Sequence, residues 1–532
     1  MELPQTLTRP RSLRLGPGLV AGLGLAAVGL LLLLLQWHLW LRQEGLPLLD
    51  WDSSEQLYFC RLWAREYFFG NDRSWLPLFF ALDGSLLRLL RRPLLCHAAL
   101  NVALCLAGLR ALQGILESLN PRRGIENLAL LALAGLSLAF VENGLYARSD
   151  ALFTCCVLWG TFLHLRRLER DSPAGQLLCV LFFSAAALTR FEGWAFAVCL
   201  AALSRSLPRP RLSLLVLLPV AVWLGYGWYG PHGPLSSLSD ISRTAQAAAG
   251  GFDWRGLERL AAAVLLGSPL RFEKWMAAAL SLAGLAVLCG SAWVMRRGAL
   301  GRHFLILAWL PLLAIAGLAA WHGYPVAAEH MAVFQILLLA CLAPLLGAFL
   351  RRTGLKAAAA ALAAVCVVSL RLGLDRRPSF HNPGPPNRRL AGLLLEYSQG
   401  GFAPSDSVVV ETWGSFQAGG FSDDPVVFRA LAFPLRVVWA REEPSSRLVQ
   451  DEGARLLILR GPDPAARLSP QWVLAGTWGI HRLLMRGDDR LLPGLAARLR
   501  SWARSFPEEA GYPHGPPPAQ SGVIPPAASS GA

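Results

Sequence analysis

Long apolar runs separated by short polar knots fill the first 375 residues, and their spacing matches the thickness of a bilayer. A hydrocarbon core of roughly 30 Å requires about 20 apolar residues per helix. That ruler predicts about eleven spans, near residues 18–41, 93–113, 127–145, 151–166, 174–189, 191–205, 212–230, 274–295, 303–322, 330–350 and 355–374. The first run is too long for a signal peptide and has no small-residue cleavage site before Trp40, so it reads as a retained anchor. The pair at 174–205 shares the polar interruption "TRFEGW" and also reads as one re-entrant hairpin. Two shorter segments, "SEQLYFCRLWAREYFF" and "LPLFFALDGSLLRLLRR", carry apolar residues at helical spacing with charges between them. They predict amphipathic helices lying flat in the interface.

After residue 375 the pattern changes. The breaker-rich "NPGPPN" leads into "DSVVVETW", "LRVVWA" and "ARLLILRG", short extended runs alternating with helix-compatible stretches. This predicts a small α/β domain. The domain plan is therefore a transmembrane module at 1–375 whose first outer loop occupies about 42–92, an extracytoplasmic α/β domain at 376–502, and a disordered Pro/Gly/Ala-rich tail at 503–532.

Arginines orient the bundle, because positive residues are retained in short cytoplasmic loops. "RPRSLR", "NPRRG", "LRRLER", "SRSLPRPR", "MRRGALGR" and "LRRTGLK" all fall on one side if eleven spans are threaded. The N-terminus is then cytoplasmic and the C-terminal region outside.

Composition agrees with the pattern. Hydrophobic residues make up 54% of the 532, and the mean hydropathy is +0.42, too apolar for a solvated globule. The formal charge of +15 is not gathered into a patch with interleaved aromatics, which excludes nucleic acid as the partner. Most of the ten cysteines lie inside apolar runs, where each reads as a small hydrophobe.

The outer loops hold the chemistry. "LLDWDSSEQLYF" places Asp50, Asp52 and Glu55 within six residues, directly after the first span. Carboxylates are costly near hydrocarbon, so this concentration points to a site rather than to a merely polar loop. Arg190 is a lone arginine between apolar segments, costly unless paired or functional; the plain alternative is a salt bridge with Glu192. Arg148 beside Asp150, and His330 beside Glu329, read equally as site residues and as helix-capping or helix-pairing groups. Arg271 and Lys274 sit where the long outer loop re-enters the membrane, placed either to hold a lipid phosphate or to snorkel.

An entry span from the cytoplasm, a long acidic first loop, two interfacial helices and a multispan bundle with an external C-terminal domain resemble the GT-C superfamily of membrane glycosyltransferases. The likeness is nearer to the bacterial branch akin to protein mannosyltransferases and the aminoarabinose transferase of lipid A. "SSEQLYF" and "WLPLFFAL" stand where that branch has an Asp-Glu-x-x-Tyr-Tyr-like motif and a "PPL" segment. "YARSDALFTCCVLWG" is similar to the start of its fourth span, and "LTRFEGWAF" to its later Arg-containing turn. Ser54 replaces the family's aspartate before Glu55, so the catalytic aspartate maps to Asp52, with Asp50 as its rival.

The resemblance implies an integral protein of the bacterial inner (plasma) membrane. It would transfer a sugar from a polyprenyl-phosphate-linked donor to a lipid, glycan or protein acceptor. A carboxylate base, Asp52, Asp50 or Glu55, would take the acceptor proton. Cationic groups, with Arg190 first, would neutralise the leaving phosphate. Paired acids of this kind can hold magnesium or manganese, and the sequence leaves metal dependence open. A transporter or flippase, and a polysaccharide polymerase or ligase, are the rival classes. Transport is disfavoured by the lack of an inverted repeat and of Gly/Pro-broken helices in matching halves.

Overall fold

The computed structural model describes residues 17–42, 51–66, 76–90, 93–121, 124–146, 148–204, 209–228, 260, 285–286, 288–322, 330–345, 389–390, 392–394, 406–411, 436–440, 453–460, 471–478 and 481–506. The chain divides into two compact units, Met1–Asn382 and Pro383–Ala532.

The first unit is helical. Its elements run α1 (Pro17–Arg42), α2 (Trp51–Glu66), α3 (Leu78–Leu90), α4 (Pro93–Leu119), α5 (Gly124–Gly135), α6 (Leu138–Leu145), α7 (Ser149–Glu169), α8 (Pro173–Ala187), α9 (Glu192–Leu203) and α10 (Pro210–Leu214). A 3-10 turn at Leu215–Leu217 leads into α11 (Leu218–Trp228), followed by α12 (Ala299–His322) and α13 (Ala332–Cys341). This is a polytopic helical membrane protein. Among the described residues, Ala98–Leu119 and Ala299–Ala320 are by themselves long and apolar enough to cross a membrane. The run expected at 127–145 is a bent pair, Glu126–Gly135 and Ala139–Leu145, meeting at 55°. The bend falls at Gly135–Leu136–Ser137, the kind of Gly/Ser pair at which helices kink. The span expected at 355–374 and most of that at 274–295 lie outside the described residues, as does nearly all of the tail predicted at 503–532.

Both amphipathic segments of the first loop are helices, α2 and α3, and they pack on each other. Phe59 meets Phe80 with ring centroids 5.4 Å apart. A Cβ on Gly84 would stand 2.6 Å from the Cys60 carbonyl oxygen, so this close approach requires glycine. Deeper in the bundle, Phe196 of α9 is fully buried and gathers rings from three other helices. Its centroid lies 6.2 Å from Phe153 of α7, 6.2 Å from Phe183 of α8 and 5.5 Å from Phe334 of α13.

The second unit contains a five-stranded mixed sheet of β1 (Ser407–Glu411), β2 (Arg436–Ala440), β3 (Ala454–Arg460), β4 (Trp472–Trp478) and β5 (His481–Arg486), followed by α14 (Leu492–Ser505). The strand order is β2-β1-β3-β5-β4. β1 runs parallel to β2 and β3, while β5 is antiparallel to β3 and β4. The first three strands coincide with the three extended runs legible in the sequence. The β4–β5 pair was not anticipated, although "WVLAGTW" and "HRLLMR" are rich in strand-forming residues on either side of Gly479. α14 packs on β4 with Leu495 and Leu499 buried, and the Trp502 and Trp478 rings meet at a 57° tilt with centroids 5.1 Å apart.

Arg455 ties this unit together. Its Nε and Nη2 donate to the two oxygens of Asp489, each at 2.9 Å, and its Nη1 donates to Asp406 at 2.7 Å. Burial opposes ionisation of Asp489, but the hydrogen bonds from Arg455 and from the Leu491 N–H outweigh it and hold its pKa below the ordinary carboxylate value. A depressed folded-state pKa gives stability that is complete above the unfolded-state value of about 4 and is lost as pH falls through the lower, folded value. We therefore expect the second unit of the full chain to lose hydrogen-exchange protection in β3 below about pH 4, after correction for intrinsic exchange. In Asp489→Asn this acid step should vanish.

Candidate active site at the α6–α7 and α8–α9 turns

The site is built on two tight turns. The first joins α6 to α7 and carries Tyr146, Arg148, Ser149 and Asp150; the second joins α8 to α9 and carries Thr189, Arg190 and Glu192. Asn101 of α4 holds the first turn, its Nδ2 donating to the carbonyls of Asn143, Tyr146 and Arg148 at 3.3, 3.1 and 2.9 Å. In the second, the N–H groups of Thr189 and Arg190 both donate to the Ala186 carbonyl at 3.1 Å, and the Trp194 indole donates to Ala187 at 3.0 Å. Gly193 lets this turn close: an added Cβ would lie 2.3 Å from the Ala186 oxygen.

Across the turns lies a buried ion cluster. Arg190 Nη1 is 2.9 Å from Asp150 Oδ1. Its Nε and Nη2 donate to Glu192 Oε2 and Oε1 at 3.1 and 3.2 Å. Arg190 is 8% exposed, while Asp150 and Glu192 are each 1% exposed. The fork of Arg190 hydrogen-bonds Glu192 through two nitrogens and faces Asp150 as an ion pair, which offsets the cost of burying these charges. The salt bridge to Glu192 weighed from sequence is present, and Asp150, forty positions upstream, is joined to it.

The first-loop helices are fastened to both turns. Gln56 of α2 accepts a 2.6 Å hydrogen bond from the Ser149 N–H at the head of α7, and the Leu78 N–H at the head of α3 donates to Leu188 at 3.0 Å. Glu55, beside Gln56, is buried. Arg148 is buried and stacks its guanidinium 4.8 Å from the Tyr146 ring centroid. His330, half-buried just before α13, stands within electrostatic reach of Glu192.

The structure thus brings Asp150, Arg190, Glu192, Arg148 and His330 to one end of the helical unit, with α2 attached there. Asp52 occupies the first turn of α2, three and four residues before Glu55 and Gln56, but its side chain lies outside the described residues. Asp50, Arg271 and Lys274 lie outside them altogether. Among the described residues no group of three His, Cys, Asp or Glu is arranged to hold a metal ion. Sequence reasoning missed Gln56, Asn101, Glu142 and Asn143. Glu142 and Asn143 are buried polar residues inside an apolar run, and that placement was the available signal.

No family model matches the sequence, and no curated protein matches it in sequence. Solved structures match its fold. ArnT from Cupriavidus metallidurans bound to undecaprenyl phosphate is similar with a TM-score of 0.54 at 12% identity, over 90% of this chain and 99% of that one. The same protein in the apo state gives 0.50 at 13%, over 87% and 98%. An Archaeoglobus fulgidus oligosaccharyltransferase in complex with Zn and sulfate is more remote, at 0.46 and 12%, over 77% and 63%. The chain has the fold of the GT-C membrane glycosyltransferases. It resembles ArnT in fold along nearly the whole length of both chains.

Proposed function

We propose that the chain is a membrane glycosyltransferase that moves a sugar from a polyprenyl-phosphate donor onto a hydroxyl of an extracytoplasmic lipid, glycan or protein. The observation that carries this reading is the buried Asp150–Arg190–Glu192 cluster, fastened through Gln56 to the helix that holds Asp52. The fold supports it, since the ArnT structure it matches contains undecaprenyl phosphate, a lipid of the donor's class.

In the transfer, the acceptor oxygen attacks the anomeric carbon while the bond from that carbon to the phosphate oxygen breaks. The acceptor proton passes to a carboxylate, and the electron pair leaves on the polyprenyl phosphate. Asp52 is the base, with Asp50 as its rival. Positions 52, 55 and 56 share one face of a helix. Arg190 already faces two carboxylates and acts as a positioning residue. Neutralising the departing phosphate falls to Arg148, His330, Arg271 and Lys274. The topology that places this end of the bundle outside follows from the arginine loops.

The test is a pair of conservative substitutions. Asp52→Asn should lower transfer by about 100-fold or more, with the protein reaching the membrane at its normal level. If Asp52→Asn and Asp50→Asn both keep full activity, or if lost activity tracks lost protein, this mechanism fails. Uptake of a solute into vesicles without a covalent product would favour transport instead.

A further inference from the structure

The far end of α7 carries a second buried polar cluster that the transfer reaction does not use. Arg167 lies seventeen residues after Asp150, about 25 Å along the helix, in the "LRRLER" segment. Its side chain is 4% exposed. Its Nη2 contacts His164 Nδ1 at 3.2 Å, and His164 Nε2 contacts Nδ1 of His303, on α12, at 3.0 Å. His164 is fully buried.

The donor logic of this chain is fixed. A guanidinium can only donate, so His164 Nδ1 accepts and His164 carries its proton on Nε2. That N–H donates to His303 Nδ1, which leaves His303 protonated on Nε2. The relay runs in one direction, from Arg167 through His164 to His303, and consumes one N–H of Arg167. Among the described residues, the Nε and Nη1 groups of the same buried guanidinium have no hydrogen-bond partner. A buried cation with unmet donors is expensive, and the expense is removed when an anion accepts from them. Asp171 acts electrostatically on Arg167, but it is half-exposed and already ion-paired with Arg209 at 3.2 Å. Arg302, exposed on α12 beside His303, adds positive charge.

We propose that Arg167 and His303 form a binding site for a phosphate-bearing anion at the end of the bundle opposite the transfer site. Guanidinium and imidazole N–H groups are the donor types that bind phosphate oxygens. That group is supplied either by a membrane lipid headgroup or by free phosphate, and the ligand would bridge α7 and α12. This assignment rests on the far cluster alone and stands whether or not the transferase reading does.

The test is thermal unfolding of the full chain purified in detergent, titrated with three probes: short-chain phosphatidic acid, the matching diacylglycerol and inorganic phosphate. A saturable rise in Tm with phosphatidic acid but not with diacylglycerol or phosphate identifies a lipid headgroup. A rise with inorganic phosphate as well identifies a site for the phosphate group from either source. In Arg167→Gln and His303→Gln the apparent affinity should fall about tenfold or more. Exposed Arg302→Gln should change it far less. No saturable response to any phosphate-bearing probe overturns the proposal, as does a response left unchanged in either folded variant.

Discussion

Replacing Arg190 by methionine should abolish sugar transfer and cost about 3–5 kcal/mol of stability, because it strands two buried carboxylates without their counter-ion. Asp150 and Glu192 are each 1% exposed, so water cannot take over from the guanidinium. The loss is a large share of the roughly 5–15 kcal/mol that holds a typical protein folded, and thermal unfolding of the detergent-purified chain should register it directly. Arg190→Lys should recover only part, since a single ammonium cannot reproduce the paired contacts to Glu192 together with the third to Asp150. The triple variant Arg190→Met, Asp150→Asn, Glu192→Gln removes every charge of the cluster. It should regain most of the stability while activity stays far below the wild-type level, with kcat lowered more than KM is raised. That split separates a positioning role from a purely structural one.

The second large effect is expected from one methyl group. In Gly193→Ala the new carbon would lie 2.3, 2.5 and 2.7 Å from the Ala186 oxygen, the Ala186 carbonyl carbon and the Ala187 nitrogen. All three are backbone atoms of α8, so no side chain can rotate away and the α8–α9 turn must open. Overpacking of this kind costs typically 1–3 kcal/mol, and more where backbone must move. The turn also carries Arg190 and Glu192, and a shift of about 1 Å at a site can lower a rate by about 100-fold. Activity should therefore fall further than stability. Gly225→Ala is the control: nothing lies within 4 Å of its added Cβ, and both activity and Tm should stay at the wild-type level.

Much of this molecule could be read from its sequence because hydrocarbon imposes a simple rule on length and polarity. α4 and α12 are runs whose apolar length alone fixes them, and α2 and α3 show the amphipathic spacing of helices in the first loop. The bend between α5 and α6 was not read from the sequence, since single Gly and Ser residues also occur in straight apolar helices and whether they kink one depends on packing. Within the site, Arg190 and Glu192 stood out as charges in a greasy context. Their tie to Asp150 did not, because forty residues and two helices separate the partners. Gln56 and Asn101 were missed for a related reason. Each is an uncharged side chain whose role is to satisfy backbone groups of a distant turn, which no local pattern reports. In the second unit the parallel strands announced themselves as Val/Leu runs. The hairpin of β4 and β5 is masked by an irregular register between Leu474 and Gly476, which breaks the alternation.

The most direct measurement is mass spectrometry of the glycolipids and envelope proteins of cells that express the wild-type chain, Asp52→Asn, or neither. The account predicts a species heavier by one sugar residue that appears with the wild-type chain only, while Asp52→Asn reaches the membrane at the same level and leaves the acceptor unmodified. The same sugar-bearing species at equal abundance in all three would contradict it.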